Sequence, residues 1–215
     1  MYITGIFKLK NMKKNLLIPV AIMATCLLAS CSGGSKKVKI VASGKMTVTD
    51  NKITVDPGFT HNEQEVNYSG SKVTLTVETT NGTNKTFDLT EDGSYLLNLQ
   101  TDTLIGSVVN YGEAGRAGSI TSDEMDHIID STQQLMEGKN ASDEKKTFFL
   151  PPFTVKKISL QDNAKIIGSF NGIPYSNDPD GSGKAPEVFK FFTNKQKRET
   201  LTELIMKREK LKSVH

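Results

Sequence analysis

The chain has no tryptophan, three histidines and two cysteines in 215 residues. The cysteines, Cys26 and Cys31, both lie near the amino end, so residues 32–215 carry no thiol. That excludes a disulfide framework, a cysteine-ligated zinc and a thiol nucleophile from most of the chain. The histidines, His61, His127 and His215, never recur at the spacing of a metal motif. After Cys31 no apolar run approaches the ~18 residues that a membrane-spanning helix needs. No G-x-S-x-G elbow, Walker A loop or G-x-G-x-x-G fingerprint occurs. No internal repeat recurs at a fixed period.

What is present begins at the amino end. Residues 1–30 carry Lys8, Lys10, Lys13 and Lys14 and no acid. Met12-Lys13-Lys14 precedes the apolar run Leu16–Leu28, which is 13 residues long and too short to remain as a spanning helix. Leu28-Ala29-Ser30-Cys31 closes it with small residues before a cysteine. A basic start, a short apolar segment and a small-residue junction are the parts of a secretory signal peptide. With cysteine at the junction, residues 12–31 resemble the lipobox signal of bacterial lipoproteins. The resemblance implies a signal peptide over residues 1–30, with translation starting at Met12 as an alternative to Met1. It also implies lipid attachment at Cys31, which would become the first mature residue. Several acyl chains hold a protein to a bilayer, each buried CH2 contributing about 0.8 kcal/mol. The expected location is therefore the cell envelope, lipid-anchored, with the body outside the cytoplasm.

The charge balance agrees with a leader that is set apart. The whole chain has 27 basic and 24 acidic residues, net +3; without the four leader lysines the remainder holds 23 against 24, net −1. No global field then draws the body to nucleic acid, and the sequence predicts no nucleic-acid partner. Ser32-Gly33-Gly34-Ser35-Lys36-Lys37 has the composition of a flexible linker, so residues 31–37 are expected to be a tether.

From 38 to 112 the pattern is β. Apolar residues alternate at Val38, Ile40 and Ala42, at Ile53 and Val55, and at Val73, Leu75 and Val77. Turn residues punctuate the runs at Asp50-Asn51, Asp56-Pro57-Gly58, Ser69-Gly70-Ser71, Asn81-Gly82 and Glu91-Asp92-Gly93. Asn81-Gly82 marks a hairpin between 73–79 and 85–89. Over 113–215 the period changes. Thr121 and Glu124 match a capping box, and Met125, Ile128, Ile129, Leu135 and Met136 share one face, predicting a helix over 122–137. The segments 155–160 and 166–170 are expected to pair across Gln161-Asp162-Asn163. Pro186 to about Lys212 reads mostly as helix, with a stripe of Leu201, Leu204, Ile205 and Leu211. Residues 188–192 are either its first turns or a short strand followed by a Thr193/Gln196 capping box. The order predicts an α+β fold: an antiparallel β-rich meander, sandwich or partly open barrel with two helices packed on it. The two regions are expected to form one domain.

Four constellations could carry chemistry. Asp178, Asp180 and Ser182, followed by Gly183, resemble the opening of an EF-hand-type calcium loop, although Phe189 stands where a bidentate Glu belongs and Glu187 comes two residues early. A calcium ion is the one cofactor this suggests; the other reading is a solvated turn. Gly112, Gly115 and Gly118 precede the first helix, but Asp123 and Glu124 there would repel an anion. His127 has Asp123 and Asp130 on its own helical face, which is the face expected to be wet. Phe148, Phe149, Phe153, Phe170, Tyr175, Phe189, Phe191 and Phe192 concentrate in the last third, as a core or as a ligand surface.

No catalytic residue is singled out. The function expected is a non-enzymatic, lipid-anchored envelope module that binds an envelope protein or glycan. A hydrolase of envelope polymers and a calcium-stabilised adhesion module remain the alternatives.

Overall fold

A computed structural model of the chain describes residues 34–111, 121–174 and 185–213. Ten strands and two helices follow in order: β1 Ser35–Thr49, β2 Lys52–Ser69, β3 Val73–Thr79, β4 Asn84–Leu89, β5 Gly93–Leu99, β6 Leu104–Val108, α1 Ser122–Met136, β7 Thr147–Leu150, β8 Thr154–Ser159, β9 Lys165–Ile167, β10 Val188–Thr193 and α2 Asn194–Ser213. The first sheet has the order β4-β3-β2-β1-β5-β8, the second β7-β6-β10-β9.

The first sheet curls on itself, and one side chain proves it. Tyr68 is registered against Lys36 near the open end of the β1–β2 hairpin. Asp50 lies at the other end, about 45 Å away if the strand ran straight at ~3.3 Å per residue. Yet the Tyr68 hydroxyl donates to the Asp50 carbonyl at 3.3 Å. The bend sits where Ser43 pairs with His61 but Gly44 pairs with Pro57, so that residues 58–60 bulge out of β2. Asp56-Pro57-Gly58 therefore leads into a bulge within one long strand and is not the turn its composition suggested. The chain turns the corner there, and both halves of the sheet face one core. That core takes Val38, Ile40 and Ala42 from β1, Leu75 and Val77 from β3, and Leu97 and Leu99 from β5. Each valine, leucine or isoleucine among them contributes roughly 1.5–3 kcal/mol through burial.

This is the α+β, partly open barrel that the alternation predicts. Five of the eight strand pairings are antiparallel; β1–β5, β2–β3 and β9–β10 are parallel. Period two specifies which face is buried and says nothing of direction. The expected hairpin of 155–160 with 166–170 does not form: β8 pairs with β5, and β9 pairs with β10. β8 thereby carries the C-terminal region into the first sheet.

The outer face of the first sheet contributes Val41, Leu96 and Ile158 to a second core, covered by Leu104, Phe148, Leu150, Phe189 and Phe191 of the second sheet. Phe148 lies edge-on to Phe189 at 5.8 Å. The helices pack on each other and on β6, β7 and β10. α1 buries Met125 and Ile129, and its Asp126 accepts from Arg208 at 3.0 Å and from Lys212 at 3.3 Å on α2. In α2, Leu201, Leu204 and Ile205 are half-buried, whereas Leu211 of the expected stripe is exposed. Residues 188–193 form a strand, and Thr193 and Gln196 exchange both bonds of a capping box before α2.

Of the tether expected over 31–37, the last three residues belong to the folded body. Ser35–Lys37 pair with both β2 and, from Lys36, β5. Lys36 is fully buried; its ammonium donates to the Gly70 carbonyl at 2.5 Å and to Asp92 at 3.1 Å. A long apolar stem with partners for its charged end makes such burial possible.

Thr121 caps α1 as the sequence predicts: the Glu124 N–H donates to its hydroxyl at 3.2 Å, and the Glu124 carboxylate accepts from the Thr121 N–H at 2.8 Å. Thr121→Ala is expected to cost about 1 kcal/mol in chemical denaturation. An unchanged midpoint would mean that α1 adds nothing to the cooperative unit.

Candidate binding groove

The first sheet ends at β4 on one side and β8 on the other. Where they approach, no ladder joins them. Instead Lys85 of β4 donates to the Phe153 carbonyl at 2.7 Å, and Lys157 of β8 pairs with Glu91. The opening holds a hollow of about 410 Å³ bounded by Leu89, Glu91, Tyr95, Val155, Lys156 and Lys157. A second hollow of about 460 Å³ continues along Lys157, Ile158, Ser159, Leu160 and Gln161. A third of about 280 Å³ reaches Lys156 from the turn after α1, and Asp143 borders all three.

Residues 155–161 thus line this groove without a gap. Successive strand residues point to opposite faces. A hollow that touches 155, 156 and 157 in turn therefore runs along the free edge of β8 and not across a face. The walls hold matched charges: Lys156 pairs with Asp143 at 2.8 Å, Lys157 with Glu91, and Lys146 with Glu187. Glu187 also accepts from the Ser159 hydroxyl. Tyr95 donates to the Glu91 carbonyl at 2.6 Å, and burial pushes its phenol above the usual range.

A second polar cluster lies where the sheets meet. Glu63 of β2, with only 7% of its side chain exposed, accepts from Lys39 of β1 at 2.8 Å and from Asn171 at 2.9 Å, and lies 2.6 Å from His61 Nε2. Burial pushes the Glu63 carboxyl up, but hydrogen bonds from Lys39 and His61, with their charges, outweigh it and hold the group below its ordinary value. Gln100 Nε2 lies 3.0 Å from His61 Nδ1, and the Phe170 ring lies tilted by 53° against the imidazole, centroids 4.2 Å apart. Lys190 of β10 donates to the carbonyls of Gly168 and Asn171, both at 2.6 Å, and burial lowers its pKa. A Cβ on Gly168 would stand 1.8 Å from a Glu63 oxygen, so only glycine lets the carboxylate in. Both His61 nitrogens are thus engaged by protein groups. The imidazole ties β2 to Gln100 just after β5, with the Phe170 ring of the loop after β9 against it, and has no nitrogen turned to a substrate.

Cys31, the glycines at 112, 115 and 118, and Asp178, Asp180 and Ser182 lie outside the described residues. The closing positions of the calcium-like loop are described: Phe189 is buried in the second core, and Glu187 is held by Lys146 and Ser159. Among the described residues no group of His, Cys, Asp and Glu is placed to hold a metal, and no helix is long and apolar enough to cross a membrane. His127 is exposed, 3.4 Å from the Ser131 hydroxyl. Of the aromatics, Phe148, Phe189 and Phe191 are core, while Phe170 is 63% exposed over His61. The groove itself escaped sequence reasoning, although the adjacent lysines of Val155-Lys156-Lys157-Ile158 are the charges that sheet edges favour.

Comparison with protein-family models, curated proteins and solved structures finds no match for this chain.

Proposed function

We propose that the chain is a lipid-anchored binding module of the cell envelope, non-enzymatic, and that the groove along β8 is where it holds its partner. The groove carries this reading. It is an open hollow beside an unpaired strand edge, with apolar residues on both sides and its charges already matched. Such a place suits holding a partner, whereas chemistry needs a free acid, base or nucleophile aimed at a bound atom. The anchor rests on the run from Met12 to Cys31, whose lysines, short apolar segment and Ala29-Ser30-Cys31 junction fit a lipoprotein signal.

Two measurements test the two halves. Cys31→Ser is expected to abolish metabolic labelling with radioactive fatty acid and to release the protein from the membrane fraction. Undiminished labelling would sink the anchor. A photo-crosslinking residue at Leu160, which is 80% exposed on the groove wall, is expected to join the intact protein to an envelope component in living cells. The same residue at Met206 on α2, 54% exposed, is not. Equal products from both positions would remove the groove as the binding site.

A further inference from the structure

We infer that the groove receives an extended, uncharged segment of another polypeptide, which adds to the free edge of β8 as a further strand. This rests on the groove being the binding site and goes on to name what fills it.

Three features select that occupant. The first is the backbone. β8 spends alternate N–H and C=O groups on β5 over Thr154–Lys157, before a one-residue register shift at Ile158, leaving the intervening ones directed away from the sheet. Those groups open onto the groove, because residues 155–159 of β8 all line it. A ligand that satisfies a row of alternating donors and acceptors at strand spacing is another extended backbone.

The second is charge. Each acid along the edge has a lysine beside it: Glu91 has Lys157, Asp143 has Lys156, and Glu187 has Lys146. A strongly acidic or basic segment would have to break these pairs and leave one member unmatched. An uncharged segment leaves them intact, apart from the Lys157–Glu91 bridge that crosses the opening. Exposed pairs of this kind hold weakly, so displacing that bridge is a small obstacle.

The third is the placing of apolar side chains. Leu89, Tyr95 and Val155 stand on the barrel side of the edge, and Ile158 and Leu160 on the other. A strand lying between them would set its alternate side chains against one group and then the other. The recognised segment is therefore apolar at alternate positions, with about five of its residues lying against 155–159 at one residue per residue of β8.

The test uses the full chain in detergent and a pooled library of uncharged, end-capped heptapeptides with apolar residues at every second position. Hydrogen exchange is followed by NMR with the library at about 1 mM, the weak end of the affinity scale. Slowed exchange at alternate amides between Val155 and Ser159, and at least tenfold weaker binding when alternate peptide nitrogens are methylated, is the expected result. The methyl groups sit on the probe, so the fold of the protein is not at stake. Equal binding of the methylated library, or protection elsewhere, overturns strand addition. So does the absence of any protection at that concentration. If Leu160 still crosslinks an envelope component in those cases, the groove remains a binding site and only the strand is lost. If the crosslink fails as well, both readings fall.

Discussion

Glu63→Ala is expected to lower folding stability by about 3–5 kcal/mol, the range for removing one member of a buried charged cluster. The carboxylate is where Lys39, His61 and Asn171 converge. Its loss leaves a half-buried ammonium and an imidazole N–H without the acceptor they share. It also releases Asn171, whose carbonyl holds Lys190. Glu63→Gln keeps an acceptor of the same shape and is expected to lose less. Urea denaturation of the full chain measures both. A loss below about 1 kcal/mol for the alanine variant, within reach of an ordinary surface pair, would show that the cluster is solvated.

The same residue gives a pH signature. Its pKa in the folded protein lies below its ordinary 4.5. A depressed carboxylate stabilises the fold fully above the unfolded value, and the contribution is lost as pH falls through the folded value. The stability difference between the parent and Glu63→Gln should therefore be flat above about pH 5 and shrink below pH 4.5. Asp88, Glu124 and Asp126 are also held low, by Lys72, by the Thr121 N–H and by Arg208 respectively, but they are common to both proteins and cancel in the difference. Parallel curves through that window would remove Glu63 from the acid response.

This cluster was invisible in the sequence for a physical reason. Lys39, Glu63, Gln100, Asn171 and Lys190 come from five separate segments, and no spacing links them. What the sequence does encode is local. The alternation at Val38-Ile40-Ala42 and Val73-Leu75-Val77, the Asn81-Gly82 hairpin and the Thr121/Glu124 cap involve neighbours a few residues apart, and all appear as expected. Parallel partners such as β1 and β5 are more than fifty residues apart, and an alternating pattern fits either neighbour. The 155–160 hairpin failed for that reason: a short turn sequence favoured the near partner, while Leu96 and Ile158 share a more distant apolar core. The groove was hidden similarly, since an edge is defined by which strand is missing. The lysines at 156 and 157 were its only local trace.

Gly44→Ala should be the most costly of the small substitutions, because the barrel turns its corner there. Gly44 has φ of 116°, in the region that disfavours side chains, and an added Cβ would sit 2.0 Å from the Asp56 carbonyl oxygen and 2.6 Å from the Gly58 nitrogen. Both contacts are backbone, so no side chain can rotate away. The strands must separate at the bulge that lets the hairpin curl and bring Tyr68 to Asp50. Gly82 supplies the control. Its φ is 92°, yet a Cβ added there would meet nothing within 4 Å. Gly82→Ala therefore bears only the conformational cost, about 1 kcal/mol. Gly44→Ala adds the steric conflict and is expected to lose about 3 kcal/mol or more. Its loss should be accompanied by faster amide exchange on both sides of the corner, around 42–46 and 55–61. Equal losses for the two alanine variants would mean that the corner yields freely.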